Sequence, residues 1–362
     1  MGKATEDTKQ TAALHEGSEQ DSKASDQHTP GRRREVKKPP LLFEETQAVT
    51  KELTDHLGGP VIALYGDIFG EVVFLSHQLL EKLGKQQKLF LVLCSYGGQG
   101  TCSLRLIDVI HQYTNKLVVL IPRACASAAT MIALGAHEIQ MGPVAYLTAV
   151  DTSLTHPRSP LDHVNVKVSI ELDELLRVVK LWKQAATDSD EPYKDNPYKY
   201  LYSHIHPLVI GAVDRCSSLS VKICEEILSH HMSDKDRITT ISNSLNSDYP
   251  SHNYPITRRE AIRLGLPIKP METEICAKSA QLMALYSEMT QGARTDFDSE
   301  NYHSNTISNI VEGSDFQFVY QYDKDWYYRR EEKRWVHFND SSGWYKFHLE
   351  SGQVKQLRIY PS

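Results

Sequence analysis

Three short apolar runs set the texture of the chain: VIALYG at 61–66, LFLVLCS at 89–95 and LVVLIP at 117–122. Together they carry several β-branched residues and each stops at a turn signal, the pattern of a strand buried on both faces. Between them the apolar positions switch to helical spacing. Over Gly70–Leu83 they fall at Val72, Val73, Leu75, Leu79, Leu80 and Leu83. Over Cys102–Tyr113 they fall at Leu104, Leu106, Ile107, Val109 and Ile110. Strands alternating with helices predict an α/β fold with a parallel sheet covered on both sides. A small-residue turn and an apolar helix follow, then a fourth short strand over Glu138–Met141.

Further along, helices are expected over 168–184 and 204–231, with a polar connection at 185–203. Residues 233–268 read as loop until TRREAIRLG, a short helix with Thr257 as its first cap and Gly265 as its stop. Another amphipathic helix spans 273–289, and 291–314 reads as a polar linker. In the last 48 residues Trp326, Trp335 and Trp344 recur every nine positions, each followed by alternating residues and a polar turn. That period predicts a small all-β appendage, an aromatic β-meander over 315–362. Residues 1–40 are polar and end in a basic cluster (Arg32, Arg33, Arg34, Lys37, Lys38), so they are expected to form a disordered tail. The remaining block, 45–290, is one α/β domain.

Charge and composition narrow the function classes. The net charge of −6 disfavours a generic nucleic-acid binder. No apolar run is long enough to span a bilayer, and MGKATEDTKQ lacks both a secretory core and the myristoylation pattern. A cytoplasmic location is therefore expected. The six cysteines show no CxxC pair and no metal spacing, and read as reduced thiols. No GxxxxGK[ST] or GxGxxG run is present, so no cofactor and no metal are expected.

Three features bear on chemistry. Ser95-Tyr96-Gly97-Gly98 ends the second strand, where a glycine pair lets the backbone turn and aim N–H groups outward. Ser127, in Ala124-Cys125-Ala126-Ser127-Ala128-Ala129-Thr130, follows the third strand and opens a helix. A serine flanked by small residues at such a turn is an exposed nucleophile, with the Ala128 N–H aimed at a developing oxyanion. The same pattern also suits a helix cap under close packing. The third feature is the order of the whole unit, strand–SxGG–helix–strand–AxSxxxxIA–helix–strand, followed by PVAYLTAVD at 143–151.

In SYGGQG (95–100), ACASAATMIALGAHEIQMGPVAYLTAVD (124–151), HPLVIGAVDR (206–215) and YPITRREAIRLGLPI (254–268), the chain resembles the Clp-protease/crotonase superfamily. Within it, the likeness is to the signal peptide peptidase A group, and most of all to its serine dehydrogenase proteinase branch. The resemblance covers about residues 45–290. It implies a spiral of ββα units with a helical C-terminal part, a homo-oligomer, and serine endopeptidase chemistry on peptides or unfolded segments. Ser127 would be the nucleophile, with the N–H groups of Gly97 or Gly98 and of Ala128 as the oxyanion hole. The position of the Clp histidine is Val150 here, so the resemblance points to a Ser-Lys dyad. Lys180, 53 positions after Ser127 on an apolar helix and expected to be partly buried, is the first candidate, with Lys167 and Lys183 as rivals.

The chain also departs from its relatives, with Ala128-Ala129-Thr130 after the serine, Tyr96 in the glycine turn and Thr148-Ala149 before Asp151. Tyr96 is expected to occlude or shape a substrate groove. Asp151 reads as a capping or orienting residue, and His137, His156 and His163 as structural or scattered. An inactive Clp-like scaffold that binds peptide or protein partners is the alternative. Acyl-CoA chemistry of the crotonase type is the third reading.

Overall fold

The computed structural model describes residues 35–150, 153–162, 166–187 and 196–361. The tail expected over 1–40 lies outside these up to residue 34. Its last residues are docked rather than free, with Pro39 buried and the Lys37 N–H donating to Thr295 Oγ1 at 2.9 Å. Helix α1 (Phe43–Leu57) leads into β1 (Val61–Tyr65), α2 (Gly70–Leu83), β2 (Leu89–Cys94), α3 (Gly100–Tyr113) and β3 (Leu117–Ile121). Next come β4 (Ala124–Cys125), α4 (Ala128–Leu134), β5 (Glu138–Met141), β6 (Tyr146–Leu147), β7 (Ser153–Leu154) and β8 (Ile170–Glu171). Helices α5 (Leu172–Thr187), α6 (Pro197–His204), α7 (Pro207–Ser229) and α8 (Lys235–Ser247) follow. The chain continues through β9 (Ile256–Thr257), α9 (Arg258–Arg263), β10 (Ile268–Pro270) and α10 (Thr273–Met289). It closes with β11 (Ala293–Asp296), β12 (Asn301–Gly313), β13 (Phe316–Arg329), β14 (Arg334–Asp340), β15 (Gly343–Glu350) and β16 (Gln353–Ile359).

The apolar runs form the parallel centre of the main sheet, in the order β10-β5-β3-β2-β1. Every residue of β2 and β3 is buried, which is why their sequences show no alternation. One face is covered by α2, α3 and α4 with the C-terminal end of α7, and the other by α1 and α10. The α/β fold read from the sequence is thus present. Helix α8, where loop was expected, exists because Ile238, Ile241 and Leu245 repeat on one buried face among Ser, Thr and Asn, with the Asp234 side chain capping its start.

The expected linker 291–314 is largely strand. β12 pairs antiparallel with β1 (Ala63 opposite Glu312) and with β13, so the meander grows out of the main sheet. Its polar composition misled because His303, Asn305 and Asn309 are buried but partnered. His303 Nδ1 meets Asp325 at 2.9 Å, Asn305 Oδ1 accepts from Gln321 at 2.6 Å, and Asn309 donates to the Asp67 carbonyl at 2.6 Å. The aromatics expected to serve the meander divide between two tasks. Trp344 and Phe347 are buried in the core, while Trp335 and Phe338 stay exposed.

The far end of α4 is pinned by imidazoles. His111 Nε2 meets the Gly135 carbonyl at 2.9 Å and His231 Nε2 the Leu134 carbonyl at 2.7 Å. His230 stacks on His111 (4.6 Å, 5°) and meets Asp108 at 2.8 Å, and His137 packs beside both His111 and His231. Burial, against the helping Gly135 bond, pushes His111 down to about 4, and it also lowers His137 and His231. An unfolded imidazole takes its proton near pH 6.5, so between about 6.5 and 4 the unfolded chain binds more protons than the folded one. Stability is therefore expected to fall as pH drops through that window, by ~1–2 kcal/mol from His111 after discounting for its partial exposure. Urea midpoints at pH 7 and pH 5 check this, and His111→Gln should flatten the difference.

Candidate active site

The site starts from one rung of parallel pairing beyond the main strands. Ser95, just after β2, pairs with Cys125 of β4: its N–H donates to the Ala124 carbonyl at 3.0 Å, and its carbonyl accepts from Ala126 N–H at 2.9 Å. That rung places the turn after Ser95 beside the turn after Cys125. On its other side Gly98 pairs with Ile68, through Ile68 N–H to Gly97 O and Gln99 N–H to Ile68 O, both 2.8 Å. Both glycines have positive φ, 122° and 139°. A Cβ on Gly97 would sit 2.9 Å from Ser127 Cβ, and one on Gly98 would sit 2.3 Å from the Ile68 carbonyl oxygen. Glycine is needed here for close approach as well as for conformation.

Ser127 has φ 51° and ψ −118°, a conformation that costs a non-glycine residue of order 1–3 kcal/mol. Local bonds hold it there. Its N–H donates to Thr148 Oγ1 at 2.9 Å, and Thr148 N–H donates to Thr130 Oγ1 at 3.2 Å. Thr130 Oγ1 in turn donates to the Cys125 carbonyl at 2.9 Å, while Ser103 Oγ donates to the Ala128 carbonyl at 2.7 Å. The departures Thr130 and Thr148 are therefore the struts of the serine turn. Ala128 and Ala129 are fully buried on the core side of α4.

The same bonds decide which of the N–H groups expected to face an oxyanion are already taken. Gly97 N–H is taken by Ser95 Oγ at 3.0 Å. The N–H groups of Gly98 and Ala128 donate to no group among the described residues, and both residues line the cavity in front of Ser127. The structure thus brings together Ser127, Gly98 and Ala128, and Gly97 serves as the turn. The Ser127 hydroxyl is half-buried and makes no hydrogen bond among the described residues.

The cavity holds about 240 Å³. Met131, Val150, Leu219 and Ile223 give it apolar walls, and Gln99, Thr101, Cys216, Ser220 and His252 add polar groups. Lys180 is not among the lining residues. It is exposed on α5, whose buried Leu175 packs with Val209 and Val213 of α7, so Lys180 lies in solvent instead of being partly buried as expected. Lys167 and Lys183 are exposed as well, and neither lines the cavity. Tyr96, expected at the groove, is 69% exposed and lies outside the cavity lining. His137 is structural, accepting from Leu117 N–H through Nδ1 at 3.2 Å. His156 likewise accepts from the backbone, and Asp151 and His163 lie outside the described residues. All six cysteines are free thiols.

Sequence reasoning missed His252, a residue of the loop between α8 and β9 that lines the cavity. Nothing in its local sequence marks it.

No family model and no curated protein matches the chain. Among solved structures it is similar to the 1510-N membrane-bound stomatin-specific protease, with TM-score 0.37 and 14% identity over 60% of this chain and 81% of that one. A complex of that protease with a substrate peptide gives TM-score 0.36 and 14% identity over 60% and 77%. ClpP1 from Listeria monocytogenes gives TM-score 0.34 and 13% identity over 65% and 99%. Among the described residues no helix is long and apolar enough to cross a membrane.

The positive φ of Ser127 yields a direct test. Ser127→Ala keeps the strained Cβ and Ser127→Gly removes it, so the glycine variant is expected to be more stable than the alanine variant by about 1 kcal/mol. Urea denaturation of the two side by side measures the difference.

Proposed function

We propose that the chain is a serine hydrolase that cleaves peptide bonds in extended or unfolded segments by acyl transfer at Ser127. The observation that carries this reading is the serine held at φ 51° beside two amide N–H groups, Gly98 and Ala128, that donate to nothing else among the described residues and whose residues line one cavity. An oxygen placed between those donors as charge develops on it is stabilised without reorganisation of the site. A substrate carbonyl carbon within reach of Ser127 Oγ would meet that arrangement.

The motif order shared with the signal peptide peptidase A group supports a peptide as the acyl donor. The apolar walls favour a medium-sized apolar side chain beside the cleaved bond. A homo-oligomer acting in the cytoplasm belongs to the same reading. A lysine base at 180 does not, because that side chain is exposed and away from the cavity lining.

A fluorophosphonate probe is expected to add one adduct to the full-length protein, on the peptide containing Ser127, and none to Ser127→Ala. Peptide-library digestion should then show cleavage after apolar residues only in the wild-type chain. If wild type takes up no probe, or both proteins label alike, acyl transfer is wrong. Unchanged capture of peptide by Ser127→Ala would then favour the scaffold reading.

A further inference from the structure

We propose that His252 is the general base for Ser127, an inference that rests on the acyl-transfer reading above and supplies the proton acceptor it lacks. Among the described residues lining the cavity, the titratable side chains are Cys216, on α7, and His252. Sulfur is a weak acceptor, whereas a neutral imidazole offers a basic ring nitrogen at working pH and is the side chain most often used for this task. Gln99, Thr101 and Ser220, the remaining polar side chains, cannot hold an extra proton near neutrality.

Strand register puts His252 on the side where Ser127 emerges. β4 pairs parallel with β6 (Cys125 opposite Leu147), and β6 pairs antiparallel with β9 (Leu147 opposite Ile256). Moving forward from Cys125 and backward from Ile256 therefore leads to the same edge of this three-stranded sheet. Ser127 lies two residues forward and His252 four residues back. The loop that carries His252 is shaped by its neighbours. Tyr254 N–H donates to the Ser251 carbonyl at 2.9 Å, and Asn253 N–H donates to Ser251 Oγ at 3.3 Å. The rings of Tyr249 and Tyr254 stack at 5.1 Å across it. Its other anchor is Val150, which lines the cavity and donates its N–H to the Leu245 carbonyl of α8 at 3.0 Å. Among the described residues, Asp248 at the end of α8 and Glu260 and Arg263 of α9 are charged groups that act on Tyr249 of this loop.

The step balances without a co-reactant other than water. Ser127 Oγ bonds to the carbonyl carbon as its proton passes to His252, and the carbonyl π pair moves onto oxygen between the Gly98 and Ala128 N–H groups. Collapse breaks the C–N bond, and the imidazolium proton goes to the leaving amine. Water then attacks the acyl carbon and gives its proton to the imidazole. The Ser127–carbon bond breaks, the serine regains a proton, and a carboxylic acid leaves.

The test is the rate of fluorophosphonate labelling at Ser127 in the full-length protein between pH 5 and 9. For wild type the rate should rise through one step in the imidazole range, about pH 6–7. His252→Gln should lower the rate by about 10²–10⁴-fold and abolish that step. His252→Gly should regain rate on addition of free imidazole, which a purely structural residue would not show. Thermal melts identify any variant that fails to fold, and His252→Asn then stands in for it. The proposal is overturned if folded His252→Gln labels at the wild-type rate with the step intact, or if the step survives there and vanishes in Lys180→Gln. Failure of wild type to label overturns the acyl-transfer reading itself and this inference with it.

Discussion

Ser127 occupies a backbone conformation that an L-residue does not adopt unless its surroundings impose it, and the architecture around it is the means of imposing it. The rung between Ser95 and Cys125 fixes the two strand ends side by side, and Thr148 accepts the serine N–H from a third strand. Thr130 then ties that third strand back to the carbonyl of Cys125. The strain is thus offset by bonds from several separate segments. It would relax if any one of those segments lost its place in the sheet.

The rest of the molecule holds those segments still. Fully buried strand β2 ends at the glycine turn, β3 leads through β4 to the serine turn, and the apolar layer of α2, α3, α4 and α7 presses on the sheet from one side. The back end of α4 is held by imidazoles donating to its last carbonyls, so the helix opened by Ser127 is fixed at both ends. On the opposite edge, β12 completes the hydrogen bonding of β1 and leads into the meander, so the sheet does not end in an open strand there. A buried carboxylate marks that junction. Glu312 accepts from Tyr286, Gln317 and Gln47, joining α1, α10 and β12, and its burial raises its pKa.

Much of this was legible in the sequence. Hydrophobic period alone located β1, β2, β3, α2 and α3, because a doubly buried strand must be apolar throughout and a helix over a sheet must be apolar on one stripe. The glycine pair and the small residues around Ser127 marked the site for a related reason. Close approach of two backbones excludes side chains, and that exclusion is written into composition. Asn305 and Asn309 illustrate the opposite case, polar residues buried in a strand, whose partners lie on another strand or a distant loop and leave no trace in the local pattern.

The identity of the strands, the serine turn and the glycine turn was therefore fixed by local residue type, since each answers a constraint acting within a few positions of chain. The tertiary structure decided what depends on pairing between distant segments. It occupied the Gly97 N–H with the Ser95 hydroxyl, while the Gly98 N–H has no acceptor among the described residues. It left Lys180 in solvent, while α5 packs Leu175 against Val209 and Val213 of α7. It brought His252 to the cavity through the register of β4, β6 and β9, strands too short and too far apart in sequence to advertise one another.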